Sequence, residues 1–349
     1  MIDTPGRDAR PFVPPWWTRG GHRQTLLGFW FRRRLRWRLP TEDLIADVGD
    51  GVRLLLRASW QPGDRARSPA VLLVHGLGGW DLAAYGLATG ALAHAMGWHV
   101  VRMNMRGAGD SARVYAGLYH AGLDLDLVAA MRTVAAHTPR IGVIGFSLGA
   151  NLALLAVGRS GALVPSAVEG VVAVSPPLDL AACVSRLELV TNRPYQAYFM
   201  RNLRNAYRYR QTLRPDLYAA GGEMRPRTLR EWDEMITAPH GGYASGKEYY
   251  ERSSSGPHVA AIRHRTLLLA AEDDPLIPGE SVTKWPLPAS GVVVREMLPT
   301  GGHVGFVAPT EAPGRFWAAE RALAFLAAGQ SERSGAERTA ARGARAAER

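Results

Sequence analysis

Short apolar runs recur along the chain, closed by glycines and separated by longer stretches with helical spacing. The runs are Ala70–His75, His99–Asn104, Arg140–Gly145, Gly170–Ser175, Thr266–Ala271 and Gly291–Leu298. Continuous apolar runs, rather than strict alternation, predict strands covered on both faces. Between them, Leu82–Met96, Leu123–Ala136 and Ala150–Arg159 are rich in Ala and Leu and predict helices. Regular alternation of the two predicts a mostly parallel, doubly wound sheet. Asp50-Gly51 is a turn signal ahead of Val52–Trp60, which predicts an antiparallel entry to that sheet.

The rhythm breaks between residues 178 and 262, which contain no strong strand and are rich in Arg, Tyr, Leu and Met. Helical spacing recurs there in Tyr195–Leu213 and Leu229–Ile236, so the segment reads as a helical cap inserted between two sheet strands. The expected division is an N-terminal arm over 1–40, a core over 41–177 and 263–328, the cap over 178–262, and a tail over 329–349. That tail is Ala, Arg, Glu, Gly and Ser without an apolar pattern and reads as disordered.

Composition changes this picture little. The chain has 349 residues, 47% of them apolar, enough for one large domain with a sizeable core. The net charge is +11, and only Lys247 and Lys284 are lysines. Residues 1–38 carry nine Arg against two Asp, and residues 193–230 nine Arg against one Asp and one Glu. Such segments either present solvated helix faces or steer anionic ligands and surfaces. The basic, aromatic segment 178–262 is expected to line the entrance and set acyl-chain preference, with the cluster Arg201, Arg204, Arg208 and Arg210 influencing the preference between anionic and neutral esters. No nucleic-acid recognition motif is present, so nucleic acid is not an expected partner. One cysteine, Cys183, excludes an internal disulfide framework and reads as a structural thiol. Neither a signal peptide nor an apolar run of membrane-spanning length is seen, and a cytoplasmic location is expected.

Chemistry concentrates at the ends of the predicted strands. Gly145-Phe-Ser147-Leu-Gly149 is a G-x-S-x-G pentapeptide that follows a strand and opens a helix. A serine on such a sharp turn needs small neighbours, and its hydroxyl stands above the sheet edge as a nucleophile. The amide of Leu148 then faces a developing oxyanion. His75-Gly-Leu77-Gly-Gly79 closes the first parallel strand, and its Leu77 amide is the candidate second donor. Gly301-Gly-His303-Val-Gly305 follows the last strand, and His303 is the candidate general base. Between them, Asp273 and Asp274 compete to orient the imidazole. Asp274-Pro-Leu-Ile-Pro278 has the spacing this chemistry uses, with Asp273 one residue out of phase. The order Ser, Asp, His along the chain is that of the α/β-hydrolase fold.

These residues and others resemble one branch of the α/β-hydrolases, the YheT-like family that also contains the mammalian ABHD-type lipases. Pro11-Phe-Val-Pro14 and His22-Arg-Gln-Thr25 are similar to its N-terminal signature. Arg106-Gly107, Tyr119-His-Ala-Gly122 with Asp124, Gly145–Asn151, Tyr249-Tyr250, Asp273-Asp-Pro275 and Gly301–Phe306 extend the resemblance over roughly residues 11–326. It implies a serine carboxylic-ester hydrolase acting on lipid or short acyl esters, with no cofactor and no metal. Acyl transfer to an alcohol or thiol is the alternative on the same scaffold. Ligand binding without turnover is the alternative from another class. Tyr119, His120 and Asp124 read as a structural hydrogen-bond network beneath the site. Trp16, Trp17, Phe29, Trp30 and Phe31 beside Arg32–Arg34 fit either a strap of the arm onto the domain or a peripheral contact with a membrane interface.

Overall fold

The structure, a computed structural model, describes residues 10–329. The expected tail therefore lies outside the described residues except for residue 329, which still belongs to a helix over 317–329.

One eight-stranded sheet organises the chain. Its strands are β1 Glu42–Gly49, β2 Val52–Ser59, β3 Ala70–Val74, β4 His99–Met103, β5 Ile141–Phe146, β6 Val168–Val174, β7 Thr266–Ala271 and β8 Val293–Leu298. Their spatial order is β1-β2-β4-β3-β5-β6-β7-β8. The β1–β2 and β2–β4 pairs are antiparallel, and every pair from β4 to β8 is parallel. Asp50 and Gly51 turn the β1–β2 hairpin with φ of 51° and 75°, the mirror-image turn that matches strand twist.

The parallel strands are buried on both faces, as their continuous apolar runs require. Along β3, Ala70, Leu72 and Val74 pack into one cluster and Val71 and Leu73 into the other. Along β5, Ile141 and Val143 take the first side and Ile144 and Phe146 the second. Each such fully buried Val, Leu, Ile or Phe side chain stabilises the fold by about 1.5–3 kcal/mol relative to exposure. Helices α3 (Asp124–Ala135) and α4 (Leu148–Gly158) cover the first face. Helix α2 (Ala84–Ala95) and the helix over 317–329 cover the second. The N-terminal arm also contains a helix, α1 (Gly21–Arg32), for which the sequence pattern offered no prediction. Among the described residues no helix is long and apolar enough to cross a membrane.

The chain reverses direction between β3 and β5, because β4 lies on one side of β3 and β5 on the other. In such sheets the carboxyl ends of the strands flanking this switch point open a crevice, and ligands bind there.

Residues 175–265 contain no strand and leave the sheet between β6 and β7. They hold helices α5 (Leu180–Leu187), α6 (Arg193–Leu213) and α7 (Gly246–Ser253), with a π-helical turn at Asp233–Thr237. Helix α6 buries Met200, Leu203, Tyr207 and Arg210, a helical stripe at intervals of three and four.

Of the four α6 arginines expected at an entrance, three are hydrogen-bonded within the fold. Arg204 donates to the carbonyls of Glu223 and Pro226, at 3.2 and 2.8 Å. Arg208 pairs with Glu223 at 2.9 Å. Arg210 is buried and donates to the Gly117 carbonyl at 2.9 Å. A guanidinium can satisfy several carbonyls at once, so a strandless segment uses it to tie down irregular backbone.

Candidate active site

Ser147 sits between β5 and α4 with φ 52° and ψ −120°, a conformation that costs a non-glycine residue and survives only where its surroundings enforce it. The enforcement comes from close packing. A Cβ on Gly145 would lie 2.3 Å from the Gly149 carbonyl oxygen, and one on Gly149 would lie 2.4 Å from that of Val74. The two glycines of the pentapeptide are therefore sterically obligatory, and the serine hydroxyl is pushed up out of the turn.

His303 reaches Ser147 from the loop after β8. Its Nε2 lies 2.9 Å from Ser147 Oγ and its Nδ1 lies 2.9 Å from Asp274 Oδ2. With Nδ1–H donating to the carboxylate, Nε2 is left to accept the serine proton. The other oxygen of Asp274 accepts the amides of Leu276 and Ile277, at 2.8 and 3.0 Å, so the carboxylate is fixed at both ends. It is buried. Pro275 stands inside this turn, where its missing N–H costs nothing, and the two amides after it aim back at Asp274.

Asp273 points elsewhere. It accepts from Thr300 Oγ1 at 2.6 Å and from the amides of Gly301 and Gly302 at 3.0 and 2.9 Å. Adjacent residues leaving a strand project in different directions, so one aspartate meets the imidazole while its neighbour pins the loop that carries it.

Helix α1 holds the same loop from outside. Thr25 Oγ1 accepts the His303 amide at 2.8 Å. Arg32, buried, donates to the carbonyls of Val304 and Gly305 at 2.6 and 3.0 Å. Burial lowers the Arg32 pKa to about 9. Gln24 accepts the Val307 amide at 2.6 Å. A Cβ on Gly21 would run into the Asp273 carbonyl, which shows how closely the helix lies on the site. None of these roles was legible in the sequence, although Gln24 and Thr25 lie within the segment that resembles the YheT-like signature.

The glycine-rich turn after β3 passes beside Ser147, where a Cβ on Gly76 would stand 3.0 Å from the Ser147 Cβ. Two tyrosines brace it. Tyr85 Oη accepts the Gly76 amide and Tyr119 Oη accepts the Gly78 amide, each at 2.7 Å. The Leu77 amide between them and the Leu148 amide at the start of α4 have no partner among the described residues. His75 Nε2 accepts the Met105 amide at 3.1 Å, so its Nδ1–H donates to the Gly76 carbonyl at 2.8 Å. Burial lowers its pKa to about 4, which keeps it a neutral brace.

Other residues singled out from the sequence serve the scaffold. Asp124 pairs with Arg159 and accepts from Ser160 Oγ at 2.6 Å. His120 accepts the Gly122 amide at 3.2 Å, and burial lowers its pKa to about 4. Asn151 ties the Ala121 and Ser253 carbonyls and the Ser255 amide, at 3.0, 2.8 and 2.9 Å. Cys183 is buried, and burial together with the nearby Asp274 charge holds its thiol well above the usual value.

Comparison with known proteins agrees with this architecture. Residues 69–308 match the model of the alpha/beta hydrolase fold family. The chain is 31% identical over 318 residues to "Putative esterase YheT" of Escherichia coli (strain K12), covering 89% of this chain and 91% of that protein. It is 28% identical over 271 residues to the monoacylglycerol lipase of Saccharomyces cerevisiae, covering 74% of this chain and 59% of that protein. Among solved structures, 2,6-dihydroxy-pseudo-oxynicotine hydrolase superimposes with a TM-score of 0.54 at 16% identity, over 88% of this chain and 74% of that one, a likeness of fold. The chain is an esterase-type member of the alpha/beta hydrolase fold family, in the branch of YheT.

Proposed function

We propose that the protein hydrolyses carboxylic esters through an acyl-enzyme on Ser147. The observation that carries the reading is the unbroken relay from Ser147 Oγ through His303 to Asp274, both steps at 2.9 Å, on a serine held at positive φ. Ser147 Oγ attacks the ester carbonyl carbon while its proton passes to His303 Nε2. The carbonyl oxygen takes the electron pair and rests between the Leu77 and Leu148 amides, whose lack of other partners leaves them free to donate. Asp274 stays ionised and stabilises the imidazolium. Nε2 returns the proton to the alkoxy oxygen as the carbon–oxygen bond breaks and the alcohol leaves. Water then gives a proton to Nε2, attacks the acyl carbon, and releases the acid as Ser147 recovers its hydrogen.

The segment between β6 and β7 acts as the cap in this reading. Its helix α6 passes over the oxyanion turn, where Asn202 lies against Gly78. Tyr195 lies near Thr25 and the Asp274 carboxylate, beside His22 of α1, their rings stacked with centroids 5.7 Å apart. The esterase and lipase relatives support lipid or acyl esters as the substrate class.

Labelling with a fluorophosphonate and turnover of an activated ester test the reading. Wild-type protein should label at Ser147, and Ser147→Ala should neither label nor turn over while keeping its melting temperature. Asp274→Asn should reduce turnover by orders of magnitude, as the equivalent change does by about ten-thousand-fold in serine proteases. Asp273→Asn should cost mainly stability. Wild-type turnover by Ser147→Ala would overturn the mechanism. A larger loss of turnover in Asp273→Asn, with both mutants folded, would redraw the relay.

A further inference from the structure

A surface helix ordinarily turns its apolar side inward. Helix α1 does the reverse. Its buried positions are Gly21, Gln24, Gly28 and Arg32. Leu26, Phe29 and Trp30 point outward and are 58%, 56% and 56% exposed. The inward face is committed to the His303 loop, which needs small residues for close approach and polar ones to satisfy loop backbone. That commitment explains the inner face but not the outer one, where any polar residue would serve.

The apolar strip extends beyond the helix. Trp16, in the turn just before it, is 78% exposed. Tyr198 of α6 meets Phe29 edge-on with ring centroids 6.4 Å apart, so the strip continues onto the cap. A cationic rim surrounds it. Arg19, Arg23, Arg33, Arg34 and Arg36 are exposed and form no ion pair among the described residues. Residues 10–41 contain no Asp or Glu at all. The Arg33 guanidinium lies over the Trp30 ring at 3.2 Å from its centroid, which keeps cation and aromatic side by side.

We propose that the outward face of α1, extended by Trp16 and Tyr198, docks the protein on an anionic lipid surface. Protruding tryptophans and phenylalanine beside arginines match the boundary between hydrocarbon and headgroups, where the ring takes the apolar side and the guanidinium the phosphate. Anionic lipid supplies the charge that the uncompensated arginines lack. The side chains project from a convex helix and do not line a groove, which suits a fluid surface better than a rigid partner. Docking also places the catalytic loop about one helix diameter, ~10 Å, from the lipid, since α1 touches that loop with its opposite face.

The proposal does not depend on turnover, so it is tested on full-length Ser147→Ala protein, whose failure to hydrolyse esters leaves vesicle binding readable. Flotation with phosphatidylcholine vesicles containing phosphatidylglycerol should recover the protein, and vesicles of phosphatidylcholine alone should recover about tenfold less. High salt should weaken the first association. Adding Trp16→Ser, Phe29→Ser and Trp30→Ser should cut recovery on anionic vesicles at least tenfold with an unchanged melting temperature. Separately, Arg23→Glu with Arg33→Glu should remove the preference for anionic vesicles. Three results would each overturn the proposal. One is no recovery on either vesicle. Another is equal recovery of the triple variant. The third is concentration-dependent dimerisation in lipid-free sedimentation that the triple variant abolishes, which would assign the strip to a second copy of the chain.

Discussion

The two arginine-rich segments carry the same formal charge and meet opposite fates. In residues 193–230 most of the guanidiniums are consumed by the fold. Arg204 and Arg210 hold backbone carbonyls, while Arg208, Arg214 and Arg230 pair with Glu223, Asp216 and Glu188. In residues 10–38 only Arg32 is buried, and Arg10 reaches Glu311, while the others face outward without an ion pair among the described residues. The difference lies in the backbone that each segment must satisfy. Residues 193–230 run through helices and turns that bring carbonyls and carboxylates within reach, whereas residues 10–41 contain no acidic side chain and, among the described residues, only Arg36 reaches neighbouring arm carbonyls, those of Arg33 and Leu35. Net charge read from sequence therefore says nothing about which charges are free to act on a ligand or surface.

That contrast can be broken first at Arg32, the arm's exception. Its removal leaves the Val304 and Gly305 carbonyls buried without donors, each costing about 1–3 kcal/mol. Arg32→Met should lower the free energy of unfolding by about 2–4 kcal/mol in denaturant titration and reduce turnover, because the His303 loop loses its outer support. Wild-type stability in the Arg32→Met variant would show that the arm is an appendage.

The next effect belongs to the segment between β6 and β7 alone. Asp233 is buried against Tyr250 Oη, at 2.9 Å, and its pKa is raised to about 7 by burial, with Thr237, Tyr250 and Arg230 opposing. The folded state thus holds this proton more tightly than the unfolded chain does. The associated stability is fully present below about pH 4 and is lost as pH rises through about 7. Asp233→Asn should flatten that decline, so its melting temperature should gain on the wild type between pH 4 and 8. Parallel melting curves across that range would refute the assignment.

The smallest effect is expected at Arg210. This buried guanidinium holds one carbonyl, that of Gly117, and its Nη2 has no partner. Losing the hydrogen bond and losing an unpaired buried charge act in opposite directions, so Arg210→Met should change stability by no more than about 1 kcal/mol. A loss as large as that at Arg32 would mean that both buried arginines are equally structural and that number of carbonyls held is not the deciding quantity.

Much of the fold was legible because burial on both faces leaves a long-range record in a short window. The runs at Ala70, His99, Ile141 and Thr266 became strands within a residue or two of the expected limits. The segment lacking such runs became helical. Helix α1 was not legible, since its apolar residues lie on the wrong side for a pattern that assumes a core, and its true partner is a loop nearly three hundred residues away. Tyr85 was equally silent as a brace of the glycine turn, because a phenol that accepts a backbone amide leaves no periodic mark, whereas Tyr119 was expected in a hydrogen-bond network though not at this turn.

By itself the sequence determined which local shapes were available. The glycines at 145 and 149 allow a turn that no Cβ would tolerate, and Pro275 leaves Asp274 as the residue whose carboxylate the next two amides cap. Only the tertiary structure decided which of these shapes meet. Ser147, Asp274 and His303 come from three strand ends spread over 156 residues, and 2.9 Å contacts among them depend on how β5, β7 and β8 order in the sheet. It also decided which arginines are structural and which are free, because a guanidinium's role depends on the carbonyls within its reach. Those carbonyls are set by packing between distant segments, and no local pattern encodes them.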